Sequence, residues 1–169
     1  MKPVVSIMWF RRDLRLHDNA ALFHALQAAS QSGGAPVLPI FIFDKQILDK
    51  LEDKSDKRVV FIEAALQKMH EQLLALGSGL TVLYSTPQEA FKTLLAQYTV
   101  SHVFTNHDYE PYAISRDKDV TTFLETKNIE FNTQICLPNG WTGTAPNVLP
   151  TSQQNVIFAD GRPYLMCYS

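Results

Sequence analysis

Apolar positions along this 169-residue chain switch period repeatedly, from short unbroken runs to three- and four-residue steps and back. Residues 4–10 are an apolar, β-branched and aromatic run, the pattern of a strand buried on both faces. Residues 20–29 follow helical spacing, with Leu22, Phe23 and Leu26 on one face, Asp18 placed as the cap, and Gly33 and Gly34 as the stop. A second buried strand is predicted over 37–43. Residues 44–57 are polar and charged, with Ile47, Leu48 and Leu51 spaced for a short helix within a long loop.

The strongest helical signal covers 58–76. There Val59, Ile62, Leu66, Met69, Leu73 and Leu76 recur at three- and four-residue steps, and Gly77 terminates the run. A third strand is predicted over 80–84. Thr86, Pro87 and Glu89 then supply the N-cap, a proline at the first helical position and the N3 carboxylate of a capping box, for a helix reaching about Tyr98. A fourth strand follows over 102–105. Pro111 opens a helix reaching about Lys127, with Ile114, Val120, Phe123 and Leu124 apolar, and a fifth strand covers 129–135. Strands that alternate with helical crossovers predict the α/β class: a five-stranded parallel, Rossmann-like sheet with helices on both faces.

The texture changes after Cys136. Residues 137–155 are rich in Pro, Gly, Asn, Ser and Thr without a period, which is linker composition, and Asp160-Gly161 then marks a turn between two apolar stretches. The expected division is therefore an α/β domain over 1–136 and an irregular linker over 137–169. The apolar stretch running into Ser169 is expected to continue in a longer protein.

Composition narrows the functional classes. Fifteen Lys and Arg against 17 Asp and Glu give a formal charge of −2, which argues against strong nucleic-acid binding by this chain alone. No apolar run approaches the roughly 18 residues of a membrane helix, and the N-terminus lacks the charge order of a secretory signal. Cys136 and Cys167 form neither a CxxC pair nor a metal-ligand spacing, and read as reduced thiols of a cytoplasmic protein.

In open α/β sheets ligands bind beyond the carboxyl ends of the strands, which selects the turns worth reading. The turn after the first strand carries Arg11, Arg12, Asp13 and Arg15, with neither GxGxxG nor GxxxxGK[ST], so the usual dinucleotide and triphosphate modes are not expected. Its arginines suit carboxylate or phosphate pairing, with ligands or structurally with Asp13, Asp18 or Asp44. Phe43 and Asp44 follow the second strand. The turn after the fourth, residues 106–112, is aromatic and acidic. Tyr109 and Tyr112 offer stacking faces, while Asp108 and Glu110 either accept hydrogen bonds from a planar heterocycle or cap the next helix. His107 is expected to be a surface residue. No catalytic constellation is visible.

These turns resemble a known family. Residues 9–19, WFRRDLRLHDN, match the N-terminal signature of the DNA photolyases and cryptochromes almost letter for letter. Residues 106–112 with Arg116-Asp117 resemble that family's second block, and Asp160-Gly161-Arg162-Pro163-Tyr164 resembles the DGxPY element at its interdomain linker. The resemblance implies an N-terminal domain that in many members holds a light-harvesting antenna chromophore, with FAD and the groove for damaged DNA in a helical domain further along the chain. It implies the antenna-type domain of a deoxyribodipyrimidine photolyase, not catalytically competent alone, with the FAD domain as partner and damaged DNA met only through it. Folate-binding members carry an Asn-Glu pair where this chain has Tyr112 and Ala113, so the resemblance favours a deazaflavin or flavin over a folate. Arg11, Phe43, Asp44, Asp108 and Glu110 are the expected pocket residues, with no catalytic or metal-binding residue. The alternatives are a blue-light receptor domain of cryptochrome type, a stand-alone nucleotide-binding α/β protein, and an interaction module with an empty cleft.

Overall fold

The computed structural model describes residues 2–51, 56–134, 155–157 and 163–165. Five parallel strands form one sheet: β1 (Val4–Phe10), β2 (Val37–Asp44), β3 (Thr81–Ser85), β4 (Thr99–Asn106) and β5 (Glu130–Gln134), in the order β3-β2-β1-β4-β5. Helices α1 (Ala20–Gln31), α2 (Lys45–Leu48), α3 (Lys57–Ala75), α4 (Pro87–Gln97) and α5 (Pro111–Glu125) alternate with the strands as the hydrophobic pattern predicts. Two three-residue strands, β6 (Asn155–Ile157) and β7 (Pro163–Leu165), pair antiparallel inside the segment read as irregular. Cys136, Cys167 and the Asp160-Gly161 turn lie outside the described residues.

Side-chain alternation along β1 builds both cores. Met8 and Phe10 point to one face, where Leu22 and Leu26 of α1 and Leu66, Met69 and Leu73 of α3 cover them. Val5, Ile7 and Trp9 point to the other, under Phe91 and Leu94 of α4 and Val120 and Leu124 of α5. A central parallel strand covered on both faces must be apolar throughout, which is why β1 reads as an unbroken run. Trp9 meets Phe91 edge to face, ring centres 5.4 Å apart.

The helix ends follow local chemistry. Gly77, at φ +79°, takes the left-handed position after α3, and the Ser78 N–H closes back on the Leu73 carbonyl at 2.8 Å, a Schellman arrangement. The start of α1 departs from expectation. Asn19 is the cap, its side chain accepting from the Leu22 N–H at 3.0 Å, while Asp18 occupies the preceding turn at φ +52°. Ile114, read as part of the α5 apolar face, is exposed; the buried face runs through Ala113, Asp117, Val120 and Leu124.

Sequence order runs β1, β2, β3 outward on one side, then returns across the sheet to β4 and β5 on the other. The strand order therefore reverses between β1 and β4, and a crevice opens at their carboxyl ends. Truncating the fully buried ring in Phe91→Ala is expected to cost about 3–5 kcal/mol in urea unfolding. Phe61→Ala on the exposed face of α3 should change stability by no more than about 0.5 kcal/mol; equal losses would refute this placement of the core.

Candidate functional site

An open cavity of about 220 Å³ lies at that crevice. Phe43 and Asp44 from the end of β2, Ile47 and Leu48 from α2 and Ile62 from α3 make one side; Arg11, Asp108 and Glu110 from the turns after β1 and β4 and Tyr112 and Arg116 from α5 make the other. All five residues expected from the sequence, Arg11, Phe43, Asp44, Asp108 and Glu110, line this one space. An engineered apolar cavity of about 150 Å³ accepts a benzene ring, so the volume and the open mouth suit a larger planar group.

The polar frame is held from within. Asp117 is buried on α5, and Arg11 Nη1 donates to both of its carboxylate oxygens at 2.6 and 2.7 Å. Arg116 donates to the same carboxylate from Nε and Nη2, each at 3.2 Å. Arg11 also donates through Nη2 to the Asn106 carbonyl at the end of β4. The structural partners foreseen for the arginines of this turn were Asp13, Asp18 or Asp44; for Arg11 a carboxylate 106 positions away takes that place, because α5 brings Asp117 to the end of β1. Burial pushes the Arg11 guanidinium below its ordinary pKa, and the hydrogen bond to Asp117 opposes the shift. The Arg11 Nε is buried without a hydrogen-bond partner. The Arg11 and Arg116 guanidiniums stand 5.0 and 5.1 Å from the centre of the Trp9 ring.

The outer rim is less tightly bound, with Arg12 and Glu110 exposed and Asp108 buried. Arg12 reaches Asp108 at 3.2 Å and Glu110 at 2.7 Å. Asp108 also accepts from the Glu110 N–H at 3.3 Å, whereas Glu110, in the cap position of α5, makes no side-chain cap. Each carboxylate offers about four lone-pair directions, so Asp108 keeps acceptor capacity for a ligand. Arg15 contacts Asp18, one of the partners foreseen for it. His107 is exposed, as expected.

Across the cavity, Asp44 is buried and works twice. One oxygen caps α2 through the Gln46 N–H at 3.0 Å, and the other accepts from the Tyr112 hydroxyl at 2.7 Å. Burial, then the hydrogen bond to this carboxylate, pushes the Tyr112 phenol up to about 12. Asn106 fastens the loop after β1 to the end of β4: it donates to Asp13 and Asn19, each at 3.1 Å, and accepts from the Ala21 N–H at 3.0 Å.

Sequence reasoning did not assign Trp9, Arg116 and Asp117 to the site. The available signal was Asp117, a carboxylate on the buried 113/117/120/124 face of α5, which requires a buried cation nearby.

Residues 6–144 match the family model described as DNA photolyase. The chain belongs to the DNA photolyase family. It is 35% identical over 123 residues to a deoxyribodipyrimidine photo-lyase of Synechococcus, covering 73% of this chain and 24% of that protein. Cryptochrome-1 of Drosophila melanogaster is 33% identical over 129 residues, covering 75% and 23%. This photolyase-family chain thus spans about a quarter of the length of the curated relatives it matches. Among solved structures, a photolyase of Sulfolobus tokodaii, described with two FAD molecules and as implying a novel light-harvesting cofactor, superposes with a TM-score of 0.69 at 31% identity, covering 78% of this chain and 29% of that one. A Synechocystis cryptochrome shares the fold, with a TM-score of 0.70 at 20% identity, covering 80% and 28%.

Among the described residues, no helix is long and apolar enough to cross a membrane, and no group of His, Cys, Asp and Glu could hold a metal ion. Asp117→Ala leaves Arg11 buried beside Arg116 without a counter-charge and should cost about 3–5 kcal/mol by chemical denaturation. Arg12→Ala on the exposed rim should cost no more than about 1 kcal/mol; the reverse order would contradict this account of the frame. Between its ordinary pKa of 10.0 and about 12, the unfolded chain releases the Tyr112 proton while the folded chain keeps it, so stability falls as pH rises through that window. Tyr112→Phe should flatten the decline relative to the parent; parallel curves would exclude the shift.

Proposed function

We propose that this chain is the antenna-chromophore domain of a deoxyribodipyrimidine photolyase, and that its cavity takes a flavin or deazaflavin in preference to a folate. The observation that carries the reading is the cavity between β1, β2 and β4: apolar and aromatic on the β2–α2–α3 side, hydrogen-bonding on the other, and without a glycine-rich phosphate loop. Phe43, Leu48 and Ile62 would cover the face of a planar ring and exclude water from it. Asp108 would accept from a ring N–H, and Glu110, with Arg12, would close the outer rim. When bound, the pigment supplies absorption of near-ultraviolet or blue light and transfer of that excitation to a second flavin.

The preference over folate rests on the first turn of α5. Ala113 is buried and has no polar side-chain group, and the Tyr112 hydroxyl is committed to Asp44. The related Sulfolobus protein, described with two FAD molecules, supports a flavin at a second place in this family. The remainder of the photolyase function belongs to partners of this chain. An FAD-bearing helical domain would receive the excitation and meet damaged DNA, in keeping with the net charge of −2 here. The protein is proposed to act in the cytoplasm.

The test is absorption of the purified chain after incubation with riboflavin, a deazaflavin or a folate and removal of free ligand. A retained flavin-type band, at least tenfold weaker in Asp108→Ala by titration (about 1.4 kcal/mol), is expected. A chain that retains folate alone, or no pigment, overturns the reading.

A further inference from the structure

Trp9, 2% exposed at the end of β1, lines the cavity between β1, β2 and β4. Phe91 meets its ring edge to face from the core side. Two cations lie over the same ring, the Arg11 guanidinium 5.0 Å and the Arg116 guanidinium 5.1 Å from its centre. Both are held in place, Arg11 by Asp117 and the Asn106 carbonyl, Arg116 by Asp117. An arginine keeps its charge in a protein. The two share a single carboxylate, so this cluster carries a net positive charge beside the indole. Indole is among the side chains that give up an electron most readily, and an excited flavin is a strong one-electron oxidant. In such an encounter one electron passes from the indole to the excited ring system. It leaves an indole radical cation and a pigment reduced by one electron. The electron then returns, and the excitation is lost as heat.

Resting on the flavin reading above, we propose that Arg11 and Arg116 guard Trp9: their charge over the ring suppresses its oxidation by the excited pigment and keeps the excitation available for transfer. A cation is attracted by the electron-rich face of a neutral indole and repelled by the same ring once it is positively charged. Each guanidinium therefore favours the neutral indole over its radical cation. The pigment gains less from these cations. Its ring would lie against Phe43, Leu48 and Ile62, across the cavity, whereas the guanidiniums lie against the indole. Tyr112 is the other oxidisable ring lining this space, 5.9 Å from the Arg116 guanidinium. Its hydroxyl proton can pass to Asp44 as the electron leaves, so a cation protects it less. The guard acts on Trp9, and the experiment separates the two rings.

The experiment is the fluorescence lifetime of riboflavin bound to the purified chain, free pigment removed, in the parent, Trp9→Phe, Arg116→Gln and the double variant. The parent and Trp9→Phe are expected to share one lifetime. Arg116→Gln leaves Asp117 paired with Arg11. It should shorten the lifetime at least about twofold, through the loss of one of two cation–π contacts. Adding Trp9→Phe should restore the lifetime, which assigns the loss to the indole. Arg116→Lys, which keeps a positive charge, should retain more of the lifetime than Arg116→Gln. If Phe at this core position prevents folding, transient absorption of Arg116→Gln decides: an indole radical signal missing from the parent supports the guard, and its absence overturns it. An unchanged lifetime in Arg116→Gln, a longer one in Trp9→Phe than in the parent, or a loss that persists in the double variant overturns the guard and leaves the pigment site standing. Failure of the parent to retain riboflavin removes the flavin reading and the guard with it.

Discussion

Two guanidiniums converge on one buried carboxylate at the carboxyl end of the sheet. Asp117 enters the α5 side of the core on a face otherwise composed of Ala113, Val120 and Leu124, where an unpaired charge would be costly. Arg11, from the turn after β1, and Arg116, from the preceding position on α5, supply the counter-charge. The pairing fixes how α5 lies over β1 and β4, because Arg11 is held at once by both Asp117 oxygens through Nη1 and by the Asn106 carbonyl through Nη2. That in turn sets Tyr112 opposite Asp44 and places the mouth of the cavity. Buried ion pairs add little net stability over an apolar substitute; the contribution here is geometric.

Most of the fold was legible because its signals are local and mutually consistent. Strand runs, the Leu66, Met69 and Leu73 stripe, the Thr86-Pro87-Gln88-Glu89 start and the Gly77 stop each act within a few residues. What was missed depends on contacts distant in sequence. Asp18 is predicted as the cap, but the cap is Asn19, and the position requires a side chain that both donates and accepts. Asn19 donates to the Asp13 and Arg15 carbonyls while accepting from Leu22 and Asn106, which a carboxylate cannot do. The partner of Arg11 was equally hidden, since nothing near it in the chain points to Asp117.

The candidate site divided along the same line. Arg11, Phe43, Asp44, Asp108 and Glu110 are the residues expected from the strand-end turns, and the fold brings all five to one cavity. The rule does not reveal which of them are already engaged. Arg11 and Asp44 spend much of their hydrogen-bonding capacity inside the protein, so their part is to hold the walls in position. The contributions of Trp9 and Arg116 arise from stacking across β1 and α5, which has no signature in a single strand or helix.

Tyr112, Ala113 and Arg116 all fall within the first six residues of α5, and all three line the cavity. The strands beneath are occupied on both faces by core packing and have little freedom to vary. For the proposed pigment, the fit would then rest partly on these helix positions, which can change while the sheet stays as it is. A domain organised this way would be a socket, one scaffold accepting different pigments as the residues around the strand ends change.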